Sequence, residues 1–315
     1  MMDNMKFNFT SHVKKFWIIS ACILLVGLLI NVIFGVEMDI SFKGGTSLRY
    51  EYTGELDAAS LEAFFTEQIG EAANVSLGAQ DMQNEDGTVT SVPFIKVYSA
   101  AAVDSDRLNE INENVIKAYP DNDIKAPSDV KALSASLGNW FFVKCLVALL
   151  IAAAFLVLYV ALRFRKIGGW PAGLMAVAVL LHDLAMVYFA FVIFRIPLND
   201  NFVAVMLTIL GYSLNDTIVI YDRIRENRSR MGKDADMCEI VNLSLHQSFR
   251  RTMNTSVSTL IVVVVLVVVA LTQGVDAIIS FAVPMLFGVL SGFYSSVFLC
   301  APTWAHWMNK RNAKA

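Results

Sequence analysis

The chain has 315 residues, of which 56% are hydrophobic and 17% charged, with a formal net charge of −3 and a mean hydropathy of +0.55. Soluble domains average about 45–50% apolar and about 25% charged residues, so this composition excludes an ordinary soluble enzyme, and equally a disordered or collagen-like chain. The net charge means little until it is divided between the two sides of a membrane.

Residues 1–15 carry Lys6, Lys14 and Lys15, and an apolar run over about 16–35 follows. The run is longer than the core of a signal peptide and no small-residue cleavage site follows it, which predicts an uncleaved transmembrane anchor. Residues 36–137 then hold 18 Asp and Glu against 7 Lys and Arg, and are numerous enough to form a domain. Residues 46–53 alternate like a strand. Residues 57–70 have a capped start and helical spacing at Leu61, Phe64, Phe65 and Ile69. Residues 84–100 open on an Asp86-Gly87 turn and continue as a strand, and 104–119 are amphipathic, with Leu108, Ile111, Val115 and Ile116 on one face. This order predicts a small α+β domain with its helices on one face of a sheet. The segment has no histidine and no metal-ligand cluster.

The rest of the chain, 138–303, is expected to cross the membrane five more times, over about 140–162, 171–194, 202–221, 252–273 and 277–303, leaving 304–315 as a tail. The expected fold is thus a membrane, mainly α, six-helix bundle with one extracytoplasmic α+β domain between helices 1 and 2. Lys and Arg gather in alternate links: Arg163, Arg165 and Lys166; Arg223, Arg225, Arg228, Arg230, Lys233, Arg250 and Arg251; Lys310, Arg311 and Lys314. The intervening links hold Arg195 and nothing else basic. Positive charge marks the cytoplasmic side, so both termini are expected there and 36–137 outside. The same bias accounts for the basic link between spans four and five without nucleic acid. Of the four cysteines, Cys22, Cys145 and Cys300 lie in apolar stretches and Cys238 in a charged link, which implies no disulfide framework.

A charged side chain in hydrocarbon costs at least about 2.5–3.5 kcal/mol, so it normally faces the bundle and has a partner or a task. Asp216 falls in span four, about one turn from its centre, and Thr208, Tyr212, Asn215 and Asp216 recur there at helical spacing. A buried charge is disfavoured, so this carboxyl can carry a proton; a static carboxyl that only fixes packing is the other reading. Arg251 opens span five, with Thr252, Thr255, Ser256 and Thr259 along the same expected face. Arginine stays charged, so it could hold Asp216 ionised when near and release it when far; alternatively Arg250 and Arg251 only anchor the helix at the headgroups. His182 and Asp183 lie midway along span three, either as a relay or as one packed and one bridging residue. They are about 100° apart on a helix, so they are not expected to share one partner. Gly288, Gly292 and Ser296, with Ser291 and Ser295 beside them, allow close helix packing, and Pro284 is expected to kink that span. There is no phosphate-cradling Gly-rich loop, no nucleophile elbow and no paired-cysteine metal spacing.

GYSLNDTIVIYDRIREN (211–227) followed by NLSLHQSFRRTMNTSVSTL (242–260) resembles the signature of the SecF family of bacterial protein secretion. SFKGGTS (41–47), SASLGNWF (134–141) and the His-Asp pair at 182–183 fit the same family, with two departures: Ser41 stands where the family has an aspartate, and Ala135 where it has a proline. The resemblance spans essentially the whole chain. It implies half of a resistance–nodulation–division-like (RND-like) transporter in the bacterial cytoplasmic membrane. SecD would complete a twelve-helix bundle, the SecYEG channel and possibly YajC would associate with it, and an unfolded translocating polypeptide would be the cargo. It implies protons as coupling ion and otherwise no cofactor, no metal, and no bond-making enzyme activity. Asp216 and Arg251 match the family's proton-pathway residues. Asn215, Thr252, Thr255, His182 and Asp183 would support them. Asp222, Arg223, Arg225 and Glu226 match the cytoplasmic end of the motif and are read as an interlocking charge cluster. The rival readings are a proton-coupled RND-type exporter of small molecules or lipids, and a non-transporting scaffold of the translocon.

Overall fold

The computed structural model describes residues 7–83, 89–165, 169–232, 235–273 and 275–312. Lys6, the Asp86-Gly87 turn, Lys166, Lys233 and Lys314 lie outside them. Among the described residues, six helices are long and apolar enough to cross a membrane. The first is α1 (Val13–Phe34), joined through a short α2 (Ile40–Lys43) to an α+β domain. The domain contains β1 (Gly45–Glu51), α3 (Ala58–Ile69), β2 (Ala73–Gln83), β3 (Val89–Ser99), α4 (Ser105–Ala118) and β4 (Asp129–Leu133). The remaining helices are α5 (Ala135–Arg163), α6 (Gly169–Ile193), α7 (Asp200–Met231), α8 (Met237–Gln273) and α9 (Asp276–Tyr294). A π-helical turn (Ser295–Cys300) continues α9 into α10 (Ala301–Asn312).

The domain's sheet has the order β2-β3-β1-β4, every pair antiparallel. Leu48, Tyr50, Ile95 and Val97 point to one face and are buried under Leu61 and Phe65 of α3 and Ile111 and Val115 of α4. The other face carries Ser47, Arg49, Lys96 and Lys131 over a polar cleft of about 800 Å³, closed on its far side by residues such as Arg195, Asn199 and Asn201 of the bundle. The sequence reading finds β1, β3, α3 and α4 but not β2 or β4. Both are edge strands of weak apolar alternation, and β4 is almost wholly exposed, so their identity is fixed by pairing with β3 and β1. Asp57 and Asp104 cap α3 and α4 by accepting from the backbone N–H of Ser60 (2.9 Å) and Arg107 (2.8 Å). The Ser60 hydroxyl and amide bonds hold the Asp57 carboxyl below the usual carboxylate range.

Two cores organise the bundle. Near the domain, Phe42 of α2 is fully buried among Val187, Phe191, Leu198, Phe202 and Val205. At the opposite end, Phe164, Tyr221, Ile224, Ile240 and Trp304 pack together. Gly288 and Gly292 bring α9 onto Ile209 and Ser213 of α7, as their spacing predicts. Pro284 lies inside α9, and the π-turn that begins at Ser295 departs from regular α-helix.

Three features go beyond the sequence reading. The helices of spans four and five extend far into the link between them: α7 runs on to Met231 and α8 begins at Met237, with Gly232 (φ +93°) just past the end of α7. Ion pairs such as Arg230–Glu226, one turn apart, support these extensions. The tail is helical to Asn312, because Trp304, Ala305 and Met308 are buried in the bundle. The four cysteines are free; Cys145 and Cys300 are buried and Cys22 is exposed on α1.

Candidate functional site

Asp216 sits midway along α7, roughly 24 Å by helical rise from its first residue, and is 2% exposed. Ile209, Leu210, Ser213, Leu214, Thr217 and Ile220 on the same helix are also buried, so the carboxyl lies in the middle of the packed bundle. Its recorded partner is Ser256 of α8, whose hydroxyl donates to Oδ2 at 3.4 Å. The Tyr212 hydroxyl donates to Ser256 Oγ at 3.1 Å. A short line of hydroxyls therefore runs from half-buried Tyr212 through Ser256 to the acid. Thr252, one turn from Ser256, is 1% exposed, and its Oγ1 has no hydrogen-bond partner.

Arg251 does not pair with Asp216. No lysine or arginine nitrogen lies within 4.0 Å of Asp216 among the described residues. Arg251 is exposed and lines a cleft of about 500 Å³ with Asp222, Arg223, Arg225 and Glu226. The helical rise explains the gap: Arg251 is five residues, about 7.5 Å, beyond Ser256 toward the far end. The expected single polar face of α8 also divides. Thr252 and Ser256 turn inward, while exposed Thr255 donates to the Arg251 carbonyl (3.0 Å) and Thr259 to that of Thr255 (3.1 Å). On α7, Thr208 and Asn215 are exposed beside them. Polar side chains thus stand on the outer face of two helices in the apolar layer.

His182 and Asp183 share a partner, contrary to the sequence expectation. His182 Nδ1 lies 3.1 Å from Asp183 Oδ1, and the Ser291 hydroxyl reaches both, at 2.6 Å from Asp183 and 3.5 Å from His182. Rotation about the side-chain bonds overcomes the 100° divergence of the backbone positions. Asp183 Oδ2 accepts from Ser213 of α7 (2.6 Å) and Ser295 of the π-turn (2.7 Å). Sequence reasoning misses Ser213 and Thr217 and assigns Ser291, Ser295 and Ser296 only to packing. The available signal is the row of hydroxyls at spacing four on two apolar helices, facing an acid on a third.

At the far end, the acids and arginines of the motif interlock. Asp222 pairs with Arg163 (3.1 Å) and Arg225 (2.9 Å), and Glu226 with Arg223 (2.5 Å) and Arg230 (2.6 Å). Arg223 and Asn227 also donate to Gln247 of α8 (2.7 and 2.8 Å). These pairs are about one-third to two-thirds exposed, so each contributes little alone, about 0–1 kcal/mol, and their weight lies in the network. Among the described residues no group of acids, histidines and cysteines is arranged to hold a metal.

The fold and these buried acids define a multi-pass membrane protein: a six-helix bundle with ionisable groups inside and one α+β domain between its first two long helices. Residues 112–310 match the family model of the protein export membrane protein SecD/SecF, C-terminal, and the chain belongs to that family. It is 30% identical to the protein translocase subunit SecDF of Bacillus subtilis, covering 98% of this chain but 39% of that longer protein. It is 29% identical to the protein translocase subunit SecF of Alicyclobacillus acidocaldarius, covering 98% and 96% of the two chains. Among solved structures, SecDF from Thermus thermophilus, described as a translocon-associated membrane protein, superposes with a TM-score of 0.76 at 23% identity, over 98% of this chain and 40% of that one. A SecDF structure in a super-membrane-facing form gives 0.63 at 26% identity. The expected six-helix half of an RND-like transporter is the fold found.

Proposed function

We propose that the chain is the SecF subunit of the Sec translocase accessory machinery and, with SecD, uses the proton-motive force to assist protein translocation after the ATP-driven stage. Its place is the bacterial cytoplasmic membrane, with both termini cytoplasmic. It acts as a motor half and makes or breaks no covalent bond in its cargo, an unfolded polypeptide. SecYEG and possibly YajC are its further associates. The relatives named SecF and the fused SecDF chains support this reading.

The observation that carries the proton coupling is Asp216: a buried acid in mid-bundle with one weak hydroxyl partner and, among the described residues, no counter-ion. We propose a cycle that alternates the separated arrangement described above with one in which Arg251 swings in and pairs with Asp216. Proton loss favours the pair and proton gain breaks it. A membrane potential supplies about 2.3 kcal/mol per charge per 100 mV, enough to bias two packings of such a bundle. The exposed polar faces of α7 and α8 support a protein partner in the membrane, since lipid would leave Asn215 unpaired; SecD is the partner proposed.

The test is Asp216→Asn in the membrane-embedded complex. Export of a secreted reporter should lose its stimulation by an imposed proton gradient, while SecD still co-purifies. Full stimulation in that variant would remove the motor reading and leave a scaffold.

A further inference from the structure

The acid with the richest surroundings in the bundle is Asp183, which the proposed cycle leaves idle. It is 0% exposed, and both of its oxygens are in use. Oδ1 takes His182 Nδ1 and the Ser291 hydroxyl; Oδ2 takes the Ser213 and Ser295 hydroxyls. Four donors match the acceptor sites of one carboxylate. Three of them come from helices other than its own, so one side chain ties α6 to α7, to α9 and to the π-turn.

The tie to α7 is placed next to Asp216. Ser213 is three residues before Asp216 on that helix, and Thr217 follows it directly. Ser296, in the π-turn, binds Thr217 Oγ1 (2.9 Å) and the Ser213 carbonyl (3.2 Å). Gly292 lets α9 approach within van der Waals contact of Ser213, where a Cβ would stand 3.1 Å from that of the serine. The rear of the Asp216 turn is therefore held at Ser213 and Thr217, and its carboxylate accepts from Ser256, at 3.4 Å. A π-turn is one residue wider than an α-turn. It begins at Ser295, the point where Ser291, Ser295 and Ser296 can all address α6 and α7. No lysine or arginine nitrogen comes within 4.0 Å of Asp183 among the described residues. The titratable groups around it are His182 on its own helix, Tyr294 beside the His182 ring, and Cys300 in the π-turn. Tyr212 is the titratable group beside Asp216 among the described residues.

We propose that Asp183 is the positioning residue for Asp216. Through Ser213 it fixes the rotation of α7 that presents Asp216 to α8, and the π-turn supplies the hydroxyls that hold Asp183 in place. This rests on the reading of Asp216 as the proton carrier. It assigns Asp183 no proton transfer of its own.

The test uses the full chain with SecD in native membranes and a lipid-soluble carbodiimide, dicyclohexylcarbodiimide, which modifies protonated carboxyls. Peptide mass spectrometry reads the rate of modification at Asp216 against pH. Three variants are compared with the parent: Ser213→Ala, which cuts only the link to α7; Asp183→Asn; and the double variant. In the parent, Asp216 should react at low pH and cease to react as pH rises. In Ser213→Ala its rate at neutral pH should change about fivefold, the equivalent of one net hydrogen bond of about 1 kcal/mol. Asp183→Asn should change it at least as much, and the double variant no further, because both act through one link. If Asp183→Asn fails to assemble, Ser213→Ala decides alone. A parental curve in folded Ser213→Ala, including a case where only the amount of complex drops, overturns the positioning role and leaves the proton carrier standing. An Asp216 that is unreactive at every pH in the parent overturns both.

Discussion

Removing the carboxylate from each of the two buried acids should have very unequal consequences for stability. Asp216 has one hydroxyl at 3.4 Å, so Asp216→Asn keeps the volume, loses a weak contact and should change stability by less than about 1 kcal/mol. Asp183→Ala strips the acceptor from three hydroxyls and an imidazole. Ser295 keeps a bond to the Gly292 carbonyl at 3.2 Å, but Ser213 and Ser291 lose their short bonds inside the bundle. A buried donor left unsatisfied costs about 1–3 kcal/mol, so two or three of them sum to about 3–5 kcal/mol after partial relaxation. For a chain of this size that is a fall in Tm on the order of 10 °C. Intrinsic fluorescence during thermal unfolding of the detergent-purified complex with SecD reads both. Equal losses in the two variants, or an Asp183→Ala complex that melts with the parent, would show that hydrogen-bond count does not govern these sites and would refute the reasoning.

Gly288→Ala places a Cβ 2.5 Å from the Ile209 side chain and 2.9 Å from Val187, an overpacking that should cost about 1–3 kcal/mol in the same melt. Gly211→Ala meets nothing within 4 Å and should leave the melt of the chain alone unchanged or slightly raised. Phe42→Ala empties a fully buried site between α2 and the bundle and should cost about 3–5 kcal/mol. It should also expose the stem at 36–44 to added protease, which the parent resists. The Asp57 cap gives a pH dependence of known sign. Its folded pKa lies below the unfolded one, so its contribution is present at neutral pH and lost as pH falls below about 4. Amide exchange in the first turn of α3 should therefore be flat from pH 7 to 5 once corrected for intrinsic rate, and accelerate only below that; acceleration already at pH 6 would contradict it.

The sequence discloses what depends on local pattern. Runs of about 20 apolar residues mark the spans, and Asp57 and Asp104 mark two helix starts. The alternation of Leu48 and Tyr50 marks a buried strand face, and the charges of Asp222 through Glu226 mark a surface network. What it hides depends on distant partners. β4 is polar and exposed and becomes a strand only by pairing with β1. The helical hairpin of 222–251 hides because charge alone does not distinguish a loop from an extended helix. The sequence reading puts Arg251 on one face with Thr252, Thr255, Ser256 and Thr259. The actual α7–α8 packing turns Thr252 and Ser256 in and leaves the guanidinium in the far-end cleft. The Asp183 cluster hides because three of its four donors are serines more than 25 residues away, each unremarkable in its own segment.

These distant contacts converge on α7, which suits it to transmit a change at Asp216 to both ends of the molecule. At its far end Asp222, Arg223 and Asn227 bind it to α5 and α8. At its near end Asn199 caps the helix, and the preceding Leu198 exchanges backbone hydrogen bonds with the stem of the α+β domain: Asp39 N–H to the Leu198 carbonyl (2.9 Å), and Leu198 N–H to that of Glu37 (2.8 Å). Arg195 adds an ion pair to Glu37. These contacts give a short path from the acid up its own helix into the stem. A helix is stiff along its axis, so a small rotation at Asp216 arrives at Leu198 with little loss. The two backbone hydrogen bonds there are the links that must either move with it or break.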